Sequence, residues 1–138
     1  DDFDAARLAE LAGAAVSSAR TACAPVFGGW RALPVPTDPK AAAVHQMNGL
    51  RELRLGLHAA AVVSAGLTPL QALSVKTPAM APLFGWTTLA DTDGLLERWE
   101  GAEERTTVAI AHAYDALDDG ERAELAELAV SLHQATKS

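Results

Sequence analysis

Cysteine is almost missing from this chain: only Cys23 carries a thiol among 138 residues. An internal disulfide framework is thereby excluded, and a reducing, cytoplasmic setting is expected. Aromatics are scarce, at three Phe, three Trp and one Tyr. Runs of β-branched residues are short, so closely packed, Ala-rich helices are expected in place of a sheet. No apolar run reaches about 18 residues without a charge, which argues against a membrane span. Cations are outnumbered, with 11 Lys and Arg against 18 Asp and Glu, a net charge of −7. Broad, sequence-independent nucleic-acid binding needs phosphate neutralisation and is disfavoured by that balance. Also missing are a nucleophile elbow, a phosphate loop and a Gly-x-Gly-x-x-Gly turn, and Ser17, Ser64 and Ser74 have no catalytic signature around them. His45, His58, His112 and His133 fall into no His-Glu-x-x-His pattern, so neither a metal nor another cofactor is expected, and an enzyme is the least supported class. The chain begins at Asp1 without an initiating Met, as expected of a fragment, a processed product or a chain whose first residues are missing.

What is present is unevenly charged. Residues 1–37 carry a net −1, residues 38–86 a net +2, and residues 87–138 twelve acids against four bases, a net −8. These three segments are read as an N-terminal helix with a Pro-rich linker, a helix-turn-helix-like core, and a C-terminal helical hairpin, all within one compact domain. The middle segment is the least acidic, although +2 is a weak electrostatic footprint.

Phe3, Leu8, Leu11, Ala12, Ala15, Val16 and Ala19 recur at helical steps, which predicts a helix over Asp1–Ala22. Pro25, Gly28 and Gly29 should end it, and an irregular linker is expected from Pro25 to Thr37. Asp38-Pro39 is a helix start, with the helix running to about Gly66 or breaking near Gly49 or Gly56. Thr77–Trp86, with Pro78, Pro82 and Gly85, is expected to be a loop folded over the core. Leu95, Trp99, Thr106, Ile110, Ala113 and Leu117 mark a helix over about 94–117. Asp118 with Glu121 starts a last helix to about Ala135.

The most informative stretch is Leu50–Lys76, LRELRLGLHAAAVVSAGLTPLQALSVK. It reads as a small-residue helix, a turn at Gly66-Leu67, and a second helix opened by Thr68-Pro69. Val62 should be buried in the first helix and Leu67 should plug the space between the two. Gly66 suits a left-handed turn, Thr68 a cap, and Pro69 a first helical position. That grammar is shared by a DNA-reading helix-turn-helix and by an ordinary helical hairpin packed for stability alone.

Arg31-Ala32-Leu33-Pro34-Val35-Pro36, Asp38-Pro39, Leu50-Arg51-Glu52-Leu53-Arg54, Gly56, His58, Ala65-Gly66-Leu67 and Gly85-Trp86 follow one another in an order that resembles the SalK-like helix-turn-helix proteins of actinobacteria. The resemblance covers about residues 25–138. It implies a winged-helix-like, MarR-type architecture, pairing through terminal helices into a homodimer, and a further helical segment upstream. Two departures are visible: the stretch between Trp86 and Leu95 is short for a wing, and the second helix is poor in Arg.

The expected fold is therefore all-α, a helical bundle containing a helix-turn-helix whose wing is reduced or absent. Gln71, Ser74, Lys76 and Thr77 are the candidate DNA-binding residues. Arg54, His58 and Trp86 are the candidate ligand-binding residues. Arg54 and His58 share a helix face at a four-residue step, where an anionic effector or a titrating site could form; a histidine hydrogen-bonded within the bundle explains the same spacing. Two functions are carried forward: a transcriptional-regulator-like domain binding DNA and a small-molecule effector, and a non-catalytic ligand- or protein-binding module that has lost DNA binding.

Overall fold

A computed structural model describes residues 3–137, all of them helical or in connections, with no strand among the described residues. Six α-helices follow in chain order: α1 (Ala5–Ser18), α2 (Pro25–Ala32), α3 (Pro39–Ser64), α4 (Pro69–Lys76), α5 (Leu96–Ala111) and α6 (Asp119–Ala135). Two 3₁₀ helices, Pro78–Phe84 and His112–Tyr114, join them. No single helix among the described residues is long and apolar enough to cross a membrane. The chain divides into two compact units, one made of residues up to Gly56 together with those from Ile110 onward, the other of Leu57–Ala109.

In the first unit, Asp4 caps α1 by accepting a hydrogen bond from the Arg7 amide at 2.9 Å. The stripe at Leu8, Leu11, Ala12 and Ala15 is fully buried, together with Phe27, Ala43, Leu53 and Ala113. Small residues let α1 lie close to α6 and to the 112–114 turn. Arg7 fastens this contact from above, reaching Glu124 at 3.0 Å and Glu121 at 3.4 Å. The helix expected from Asp1 starts at Ala5; Asp1 and Asp2 lie outside the described residues.

The segment expected to be an irregular linker contains α2. Pro25 occupies its first turn, Phe27 is wholly buried beneath it, and the Arg31 guanidinium donates to the Ala19 carbonyl at the end of α1. These anchors offset the low helix propensity of Gly28-Gly29. α3 likewise runs through Gly49 and Gly56 without a break. Both glycines are places of close approach. A Cβ on Gly49 would lie 3.3 Å from the Val16 side chain, and one on Gly56 would lie 2.7 Å from the Cys23 carbonyl oxygen.

In the second unit, the core is Ala61, Val62, Leu67, Leu95 and Ala102, with Ala65, Ala72, Val75 and Trp99 packed against it. The stretch after α4, expected to be an irregular loop, forms the 3₁₀ helix Pro78–Phe84, which ends at Gly85 with φ near +77°. Its i→i+3 bonding tolerates Pro82, whose missing amide would interrupt a longer α-helix. The helix expected over 94–117 is shorter at both ends. Gly94 has φ near +70°, outside helical geometry, and the last turn tightens to 3₁₀ from His112. In the first unit that turn is held by Arg20, whose amide donates to His112 Nε2 at 3.0 Å, and by Ser18, whose hydroxyl donates to the Ala113 carbonyl at 2.9 Å. α6 opens with the reciprocal Asp118–Glu121 capping box.

Candidate nucleic-acid interface

Within the second unit, α3 ends in a Schellman turn. The Leu67 amide donates to the Val62 carbonyl at 3.2 Å and the Gly66 amide to the Val63 carbonyl at 2.9 Å, with Gly66 at φ near +71°. Val62 and Leu67 meet in the core, which is the apolar contact this motif favours. Thr68 then caps α4: its hydroxyl accepts from the Gln71 amide at 3.2 Å while Gln71 Oε1 accepts from the Thr68 amide at 2.9 Å. Pro69 takes the first position. Only Ala65–Thr68 separate the two helices, whose axes differ by 106°. A near-perpendicular pair joined by a Gly-containing turn of about four residues is the helix-turn-helix geometry.

A clamp from α5 holds this turn. Arg98 Nε and Nη2 donate to the Ala65 carbonyl at 3.0 and 2.7 Å, and Nη2 also reaches the Gly66 carbonyl at 2.9 Å. These carbonyls close α3, where a cation also complements the helix dipole. No spacing rule points to Arg98; its partners lie 32 and 33 residues earlier.

The four candidate DNA-binding residues differ in their surroundings. Lys76 is exposed, and its Nζ lies 5.0 Å above the Trp99 ring, a cation–π contact. Thr77 is exposed at the end of α4. Gln71 is half-buried and its side chain serves the cap. Ser74 is buried, and its hydroxyl accepts the Ala90 amide at 3.0 Å, so it ties the later chain to α4 from the inside. Between Leu57 and Ala90 the only Lys, Arg, Asp or Glu is Lys76. The acids of this unit come afterwards, from Asp91 to Glu104, and give it a net charge of −3.

Of the candidate ligand-binding residues, His58 and Trp86 belong to the second unit and Arg54 to the first. His58 Nδ1 is 3.0 Å from Glu103 Oε1 and 3.2 Å from the Thr106 hydroxyl, which donates to the Ala102 carbonyl at 2.7 Å. Thr106 is fully buried, so this is a polar knot inside the second unit, and the spacing of His58 alone does not reveal it. Trp86 tilts against Phe84, with ring centroids 5.6 Å apart. Arg54 belongs to the first unit and lines a groove of about 640 Å³ there. Its charge acts on Tyr114, whose phenol is nonetheless pushed above its ordinary pKa by burial.

Among the described residues, no three His, Cys, Asp or Glu side chains converge on a position that could hold a metal ion. The sequence model of a helix-turn-helix family matches residues 1–95. No curated protein and no solved structure shows significant similarity to the chain.

Proposed function

The chain belongs to this helix-turn-helix family, and from that premise we propose that it is a transcriptional-regulator-like domain that binds DNA through α4. The observation that carries the reading is the 106° crossing of α3 and α4 over a four-residue Schellman turn capped at Thr68. A cap, a Pro and an uncharged N-terminal half let the start of α4 approach phosphates, and exposed Lys76 and Thr77 supply side-chain contacts near its end. Within this proposal the protein is SalK-like and MarR-type, pairs through its terminal helices into a homodimer, acts in the cytoplasm with its upstream segment, and responds to a small-molecule effector. It carries out no catalysis.

The test is selection of duplex DNA from a random pool, followed by fluorescence anisotropy across salt. A specific complex is expected, with a shallow slope of log affinity against log salt, since each neutralised phosphate contributes about −0.9 and cations are few. Lys76→Glu abolishes that complex and leaves the helical circular dichroism intact. A specific complex that survives this reversal removes α4 as the reading helix; absence of any specific complex removes DNA binding altogether.

A second reading, a protein-interaction module that has lost DNA binding, is favoured by one feature. Where a winged protein would carry a β-hairpin, the 3₁₀ helix holds Leu83 at 74% and Phe84 at 59% exposure. Exposed apolar side chains of this size suit a protein partner better than a phosphate backbone. Loss of a protein partner in Leu83→Ser, without selection of any DNA, would decide for this reading.

A further inference from the structure

The first unit also contains a small recess of about 80 Å³, bounded by α1, α2 and α3. Gln46 of α3 lines it. This residue is only 9% exposed, yet its carboxamide makes no hydrogen bond to any described residue. Burying an amide without a partner is costly, so such groups are rare and call for an explanation. Among the described residues, no side-chain N or O atom is sealed from the surface without a partner. The Gln46 amide therefore opens onto the recess. Its Nε2 lies against α1 at Gly13, where a Cβ would stand 3.4 Å away, and this contact fixes the amide in place. The other lining groups are apolar, aromatic or already engaged. The Arg31 guanidinium donates to the Ala19 carbonyl and lies 5.4 Å over the Phe27 ring. Trp30 and His45 meet edge to face, with ring centroids 5.2 Å apart. Val35 is half-exposed beside them. Among the described residues, no carboxylate lines the recess.

The recess is smaller than the ~150 Å³ cavity that accepts a benzene molecule. It takes a head group, and the body of any larger ligand must rest on the rim. Its chemistry narrows that head. An anionic head finds the one permanent cation already engaged, and a cationic head finds no carboxylate. A purely apolar head leaves the buried amide unpaired. A carboxamide offers two donors and one acceptor group, so it is matched by a second carboxamide through two antiparallel N–H···O bonds. We propose that this recess binds an aryl carboxamide, with the amide head paired to Gln46 and the flat ring against Trp30 and Val35. The apolar rim favours a ring over the side chain of a partner protein's Asn or Gln, which would set backbone polar groups against it. The inference is independent of DNA binding and holds whether α4 reads DNA or not.

The experiment is a proton–nitrogen NMR titration of the isotope-labelled whole chain at neutral pH. The probes are benzamide, benzoate, N,N-dimethylbenzamide and N-acetylglutamine methylamide. Benzamide is expected to saturate one site per chain and to shift the Gln46 side-chain amide and the Trp30 indole signals. It should bind at least about tenfold more tightly than each of the other three. Gln46→Leu should abolish this binding and keep or raise the melting temperature, since it removes a buried amide that has no partner. Ser17→Phe, at an exposed position lining the recess, should block benzamide and leave the circular dichroism unchanged. No saturable shift, as when the Gln46 amide serves water alone, overturns the site. Undiminished binding by either variant does the same. A preference below about tenfold against benzoate or N,N-dimethylbenzamide overturns the carboxamide head. A glutamine derivative that matches benzamide assigns the recess to a protein side chain and overturns the aryl ligand.

Discussion

Gly66→Ala perturbs the helix-turn-helix at its most constrained point. Two costs arise from one methyl group. Gly66 has φ near +71°, and an L-residue held in the left-handed region costs about 1 kcal/mol or slightly more. The new Cβ would also fall on Arg98 Nη2, the atom that donates to the Ala65 and Gly66 carbonyls. Arg98 must then swing away and its clamp is lost. Hydrogen bonds from a charged donor contribute about 1.5–3 kcal/mol when sheltered, and exposure of this guanidinium reduces that to about 1 kcal/mol. Gly66→Ala should therefore destabilise by about 2 kcal/mol, and Arg98→Ala alone by about 1 kcal/mol. The double variant should also lose about 2 kcal/mol, because the clamp can be lost only once; independent sites would give about 3 kcal/mol. Urea unfolding followed by far-ultraviolet circular dichroism measures all four proteins at a common slope. For a chain of this length about 1 kcal/mol corresponds to roughly 3–4 °C in melting temperature. Additivity within about 0.5 kcal/mol would refute the clamp, and an unaffected Gly66→Ala variant would refute the strained turn as well.

Gly56→Ala should destabilise by about 2–3 kcal/mol although alanine favours helices, because its Cβ meets the Cys23 carbonyl and Ala24 at 2.7–2.9 Å. Gly29→Ala in α2, with nothing within 4 Å of its Cβ, should stabilise by about 0.5–1 kcal/mol; thermal melts of the two variants should move in opposite directions. Tyr114 is the chain's single tyrosine, so ultraviolet absorbance of tyrosinate reports on it alone. Burial raises its pKa above 10.0, so the folded chain keeps the proton that the unfolded chain releases there. Stability contributed by this group is complete below pH 10 and falls as pH rises through the folded pKa. Titration of folded protein at or below the value found in urea would contradict the burial.

Features that depend on neighbouring residues could be read in advance. The Thr68–Gln71 and Asp118–Glu121 boxes span three residues, and Gly66-Leu67 marks its turn without help from elsewhere. α2 could not be read, because Gly28-Gly29 dominates its local signal while its support comes from Phe27 in the core and from Arg31 reaching back to Ala19. Ser74 shows a related limit. An eight-residue helix offers barely two turns of periodicity, too few to decide which face is inward, and the Ala90 amide that occupies its hydroxyl is 16 residues away. Arg54 was recognisable as a candidate ligand-binding residue on α3. Arg122 and Tyr114, which line the same groove, carry no sequence link to it. A histidine hydrogen-bonded within the bundle was one reading of His58, but its partners in the second unit, Glu103 and Thr106 on α5, are far along the chain and no spacing names them.

The clamp also separates two kinds of boundary. The family signature stops at residue 95, just short of Arg98, which fastens the turn, and of Trp99, which supports the Lys76 ammonium. Ala102 of the core and Thr106 opposite His58 lie further on. A gene fragment cut where the signature ends would keep every recognisable letter of the motif and discard the scaffold that gives it shape. Shared ancestry in this chain is recorded over one interval, and mechanical integrity of the second unit over another, extending to Ala109. Transplanting the motif into another protein therefore requires carrying α5 with it.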